Sequence, residues 1–396
     1  MNSFEFNPFS EEFFNDPYDA YRRMRDEAPV YHSKRYGFYA LSRFDDVRQA
    51  HLDWETFTST HGVDLSMLTK TDPVPPSIIM MDPPQHNRLR ALVNRVFTPR
   101  AMNELEPMVH STISSYMDSV GDRRDFDILE EVAAPFPVEV ISKMLGIPAA
   151  DRQTIRHWLD LGLHREPGML EPTKEGYAAM VEMWSYFYEL VLTKRRSPTD
   201  DMLTALTRAE VERDDGEVTK LDDVEVAAFA TLLGAAGAET VTKLVGNAVV
   251  LFSRHQDEWN KILRAPQCIP SAVNEVLRFW PPSQYQGRFS TKRSTFHGVE
   301  IPEGVPVLLI TGAATRDERE FNDPDKFDID RPPGLSLGFG TGVHTCLGAA
   351  LARLESRIAI EEISQRWPVY DVDEDGLRRV QMSNVAGYCN VPVRIP

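Results

Sequence analysis

Phe339-Gly340-Thr341-Gly342-Val343-His344-Thr345-Cys346-Leu347-Gly348 decides how this chain is read. Its glycines punctuate a loop that delivers one cysteine to the start of a strongly helical stretch, Ala349 to Arg366. A helix N-terminus carries unpaired N–H groups and partial positive charge, which favour a thiolate and can donate to the sulfur. Cys346 is therefore a candidate metal ligand. The glycines suit a flat, bulky group pressing on the backbone, because a Cβ would forbid so tight a turn and so close an approach. The competing reading is an inert buried thiol, which describes most lone cysteines.

The other two cysteines, Cys268 and Cys389, lie far along the chain and form no Cys-x-x-Cys pair, which argues against zinc and iron–sulfur frameworks. One cysteine ligand suits haem. The segment resembles the cysteine-ligand loop of the cytochrome P450 haem-thiolate monooxygenases. In many bacterial members that loop reads Phe-Gly-x-Gly-x-His-x-Cys-x-Gly, and every fixed position is filled here. The resemblance implies a mainly α fold with small β-sheets and haem b as cofactor. It makes Cys346 the iron ligand and places Phe339, Gly340, Gly348 and Ala236 against the haem.

The same resemblance expects a long helix crossing the cofactor. From Asp222 to about His255 the chain is helix-compatible and mostly apolar, with Asp222, Asp223 and Glu225 where acids suit the helix dipole. Within it lies Gly234-Ala235-Ala236-Gly237-Ala238-Glu239-Thr240-Val241. Small residues either leave room beside the helix or merely pack it. An acid and an alcohol inside an apolar run, however, cost free energy unless they have partners or work. The stretch is similar to the family's oxygen-activating kink, Ala/Gly-Gly-x-Asp/Glu-Thr. By that likeness Thr240 is the hydroxyl at the oxygen site and Glu239 the acid that relays protons, Glu standing where Asp is commoner.

Glu275-Val276-Leu277-Arg278 places an acid and a base at i,i+3, by itself an ordinary helix pair. Its position upstream of Cys346, with Phe279-Trp280-Pro281-Pro282 following, matches the family, as does Phe327-Asp328-Ile329-Asp330-Arg331. The resemblance implies a buried structural triad of Glu275, Arg278 and Arg331. In Asp82-Pro83-Pro84-Gln85-His86-Asn87-Arg88-Leu89-Arg90, His86 and Arg90 share a helix face at i,i+4. They match the family's binders of the haem propionates, as do Arg288 and His344.

At 396 residues several domains are conceivable, but residues from His86 to Cys346 must converge on one cofactor, so a single domain over 1–396 is expected. Helices are expected over Tyr177 to Arg195 and Ser271 to Phe279, a hairpin over Val30 to Leu41, and strands over Ser290 to Ile310. His61 to Ser77 and Leu161 to Lys174, rich in polar residues or proline breaks, are the expected mobile lids over a substrate pocket. Leu65, Met67, Leu68, Ile78, Ile79 and Met80, with Leu232, Ala235 and Ala236, are candidates to line it.

A net charge of −17 makes nucleic acid an improbable partner. No uninterrupted run of about eighteen apolar residues occurs and the amino terminus lacks a signal pattern, so a cytoplasmic protein without a membrane anchor is expected. The family likeness then implies dioxygen, an apolar small-molecule substrate, and electrons from a ferredoxin or flavodoxin with its NAD(P)H-dependent reductase. Arg88, Arg95 and Arg100 are candidate docking residues for an acidic donor. A peroxide-driven enzyme and a non-catalytic haem sensor or carrier are the alternatives. The Glu239-Thr240 pair argues against both.

Overall fold

The structure, a computed structural model, describes residues 5–70, 77–94, 97–213 and 215–396. Its core is built around one apolar helical run. Asp222 begins that run as a reciprocal cap, accepting from the Glu225 N–H at 2.8 Å while the Glu225 carboxylate accepts from the Asp222 N–H at 2.9 Å. The first helix spans Asp223–Ala236 and the second Glu239–Arg254. The single helix read from sequence is thus broken at Gly237-Ala238. Across the break the Thr240 hydroxyl donates to the Ala236 carbonyl at 3.1 Å, a local bond that bends helices.

By length and composition Asp223–Arg254 could cross a membrane, yet 56% of its most apolar window is buried inside the fold. The second half is enclosed almost all round, from Val241 to Phe252. It packs against Pro135–Leu145, Ile269–Phe279 and Ala349–Arg366. The last helix presents Leu351, Leu354 and Ile358 inward, the i, i+3, i+4 spacing of an amphipathic face. Its N-terminus, and with it Cys346, is thereby brought opposite the central break.

A five-stranded sheet flanks the helices in the order Val30–Ser33, Phe38–Leu41, Pro306–Leu309, Gln286–Ser290, Phe57–Thr58. Phe38–Leu41 runs parallel to Pro306–Leu309, and the other neighbours are antiparallel. The expected hairpin and the mainly helical class with small sheets are both present. In the central strand all four residues of Pro306–Leu309 are buried, and Val307 pairs with Arg288. The register thereby fixes Arg288 at the edge of the helical core. Of the two expected lids, residues 71–76 lie outside the described residues. Lys70 pairs with Glu171 at 2.7 Å and donates to the Tyr177 hydroxyl at 3.1 Å, linking one lid to the other.

Glu275, Arg278 and Arg331 come together. Arg278 grips Glu275 through two N–H bonds of 2.7 Å, and its other donors reach the carbonyls of Thr315, Pro324 and Lys326. Arg331 approaches the same carboxylate at 3.3 Å, and the Asp328 N–H donates to it at 3.0 Å. The pair ties helix Ile269–Phe279 to the segment that precedes the cysteine loop. Replacing Arg278 with methionine leaves the buried Glu275 carboxylate with only the longer Arg331 contact and the Asp328 N–H, and we expect a loss of about 3–5 kcal/mol in chemical denaturation. Arg331→Met, at a more exposed and longer contact, should cost clearly less; equal losses would contradict this ranking.

Candidate active site

A cavity of about 340 Å³ lies between the broken helix and the cysteine loop. Leu232, Leu233, Ala236, Thr240, Val241 and Leu244 form one wall, Val63, Ile78 and Ile79 close one side, and Phe339, Gly340, Cys346, Gly348 and Leu351 form the opposite wall. Of the residues expected to line it, Ile78, Ile79, Leu232 and Ala236 do so. Leu65, Met67, Leu68, Met80 and Ala235 do not. Leu65 is fully buried in a separate aromatic cluster with Tyr21 and Tyr285, while Leu68 and Met67 pack towards Gly287 and Gly62. A short helix, Leu65–Leu68, turns these apolar side chains into the core, which composition alone does not reveal.

The cysteine loop is closed by the Cys346 N–H donating to Phe339 O at 2.8 Å and the Gly340 N–H donating to Leu337 O at 2.8 Å. Gly342 has φ +73°, and a Cβ there would meet the His51 carbonyl at 2.8 Å, so both conformation and space demand glycine. At Gly348, by contrast, no atom beyond its chain neighbours lies within 4 Å of where a Cβ would stand. Cys346 sits deep in the fold with its side chain open to the cavity. Burial pushes the thiol above its ordinary range and outweighs the Gly348 N–H and the charges of Arg90 and Arg353. Coordination to a metal favours the thiolate form.

Basic groups crowd the same cavity. His86 and Arg90, on helix Gln85–Asn94, share the face facing the loop. The His86 and His344 rings lie 4.5 Å apart, and His344 Nε2 is 3.2 Å from Ser59 Oγ. Arg90 donates to the carbonyls of Val343 and Thr345, so it fastens the cysteine loop as well as facing the cavity. Arg288 is fully enclosed. Among the described residues its side chain's one hydrogen bond runs to the Gly287 carbonyl at 2.7 Å. Burial lowers its pKa to about 10, and burial together with Arg288, His86, Arg90 and His51 holds His344 at about 3. Asp82 acts on Arg288, but its oxygens already accept from Thr58 and Ser59. Enclosed cations without carboxylate partners are costly. This rim fits a group carrying two carboxylates, and the space beside Gly348 fits a flat body against the loop, as haem provides.

Thr240 lines the cavity and Glu239 does not. Glu239 is buried beside Lys243 at 2.6 Å, with Asp160 and Arg156 acting on it; burial raises its pKa to about 7. Among the cavity residues that sequence reasoning missed are two titratable ones, His51 and Glu355. Both were detectable as polar residues on apolar helix faces: His51 follows Val47 by four, and Glu355 follows Leu351 by four. Glu355 is buried without a partner among the described residues, and burial pushes its carboxyl well above the usual range. Of the docking candidates, Arg95 lies outside the described residues, and Arg100 is exposed and paired with Glu104 at 3.2 Å.

A family model described as cytochrome P450 matches residues 267–386. The putative cytochrome P450 123 of Mycobacterium tuberculosis is 38% identical over 98% of this chain and 96% of its own length. The vitamin D(3) 25-hydroxylase of Pseudonocardia autotrophica is 36% identical over 97% of this chain and 95% of its own. Among solved structures, CYP109E1 from Bacillus megaterium in complex with testosterone superposes with a TM-score of 0.89 at 32% identity, covering 97% of this chain and 99% of that one. Bacterial enzymes of this kind draw electrons from redox partners and act on small molecules. The chain thus belongs to the cytochrome P450 family and is a haem-thiolate monooxygenase that binds haem b.

Proposed function

We propose that residues 1–396 act as one catalytic domain that hydroxylates or epoxidises an apolar small molecule in the cytoplasm. A ferredoxin or flavodoxin and its NAD(P)H-dependent reductase supply the electrons. The observation that carries this reading is Cys346 opening onto a cavity whose facing wall is apolar except for Thr240. The named relatives support the substrate class: one is a vitamin D(3) hydroxylase, another was crystallised with testosterone. Such cavities hold a ligand chiefly by apolar burial, with a few polar groups to orient it.

Cys346 is the iron ligand. Arg288, His86, Arg90 and His344 take the propionates, while Phe339, Gly340, Gly348 and Ala236 bound the macrocycle. Glu275, Arg278 and Arg331 keep that frame rigid. Bound haem supplies a redox-active metal whose thiolate ligand favours cleavage of dioxygen. The chain's own task is to position substrate and move protons. With its proton on the Ala236 carbonyl, Thr240 turns lone pairs to the cavity and can accept a hydrogen bond from an oxygen species or water there. Glu239, next to it in the chain and near pKa 7, is matched to exchanging protons at neutral pH.

Thr240→Ala should keep consuming electrons while product per electron falls by about tenfold or more and peroxide rises; unchanged coupling removes Thr240 from the mechanism. Because burial raises the Glu239 pKa to about 7, its neutral, proton-donating form is lost as pH rises through neutrality. Coupling in the wild type should therefore decline above about pH 7, and Glu239→Gln should flatten that profile; superimposable profiles would contradict the role. Gly348→Ala, where no atom beyond the chain neighbours obstructs a Cβ, should leave the stability of the haem-free protein unchanged and weaken haem retention. Gly342→Ala should lower both.

A further inference from the structure

His51 closes helix Phe44–Leu52, whose buried face carries Phe44, Val47 and Ala50 into the sheet-side core. That helix packs on the turn Gly342–His344 of the cysteine loop, and the His51 carbonyl backs Gly342 so closely that no side chain fits between them. The imidazole is 4% exposed and lines the haem cavity. Neither ring nitrogen has a hydrogen-bond partner among the described residues. Gln286 lies beside the ring and acts on it, but makes no hydrogen bond to either ring nitrogen; its amide donates to Ser283 at 2.8 Å and accepts from Thr311 at 2.6 Å. Arg288 and His344 are close enough for their interactions with the ring to be felt electrostatically.

A buried imidazole always carries at least one N–H, and enclosing that donor without an acceptor is costly. The helix register and the loop hold the ring in place, so the donor must be satisfied by what fills the cavity. On this side of the cavity Gln286 is neutral and Arg288 and His344 are basic, which calls for an acceptor that is an anion. We propose that His51 is a further cofactor-positioning residue, its ring N–H donating to a haem carboxylate beside Arg288 and His344. This rests on the haem-binding reading above and adds a contact from a helix that carries none of the sequence motifs. In the neutral state the ring donates to the carboxylate without adding another charge to a cavity that already holds Arg288.

The test is the rate at which haem leaves the loaded protein for excess apomyoglobin, in wild type, His51→Leu, His51→Phe, His51→Asn and His51→Gln. Each is also loaded with haem dimethyl ester, whose carboxylates are masked. With haem, the leucine and phenylalanine variants should release at least about tenfold faster than wild type. Asparagine or glutamine, which restores a donor near one ring nitrogen, should recover the wild-type rate to within about threefold. With the ester, wild type and the apolar variants should release alike. Unchanged release of haem from both apolar variants overturns the proposal, as does faster release that persists with the ester, because packing would then be the cause. Failure of the wild type to take up haem with a thiolate spectrum would instead overturn the reading on which the proposal rests.

Discussion

A single sulfur must be held in one place, open to the cavity that faces the broken helix. Burial raises the Cys346 thiol above its ordinary range, while the Gly348 N–H, Arg90 and Arg353 pull it back towards the thiolate. The fold is arranged to make coordination the solution. Phe339 and Leu337 pin the loop through backbone bonds, Arg90 clips it from a neighbouring helix, and Gly342 admits the His51 backbone behind it. Further upstream, the Glu275–Arg278 pair anchors the segment running to Arg331 and so fixes where the loop begins. These contacts restrict the loop rather than the metal, which is how a protein pre-organises a ligand.

The second constraint is charge. A chain with a net charge of −17 nevertheless collects arginines and histidines in one enclosed cavity and leaves Arg288 without a carboxylate partner. That imbalance is tolerable only if the bound group brings the negative charge. The opposite flank of the broken helix has the complementary arrangement. Lys243 beside Glu239, with Asp160 nearby, keeps an acid poised near neutrality in the core. In the proposed mechanism haem binding and proton supply fall on separate sides of one helix, and the break at Gly237-Ala238 is where the sides meet.

The long-range parts of this design were legible where chemistry restricts residue type. The cysteine loop, the Glu239-Thr240 pair and the Glu275–Arg278 spacing each join residues whose association has no bland explanation when they occur together. Helix Ala349–Arg366 and the Val30–Leu41 hairpin followed from periodicity and turn residues. Leu65 and Leu68 were misplaced because apolar composition does not distinguish a pocket wall from core, and a short helix turned them inward. His51 and Glu355 were overlooked because each is a lone polar residue. Only the apolar periodicity around them marks the buried face, and that signal is weak over one or two turns.

The most direct test of the account is the absorption difference spectrum of the reduced protein with and without carbon monoxide, recorded for wild type and Cys346→His. The account predicts a long-wavelength Soret band in the wild type that is lost in the histidine variant. A histidine-like band in folded, haem-loaded wild type, or an unchanged band after the substitution, would contradict Cys346 as the thiolate ligand.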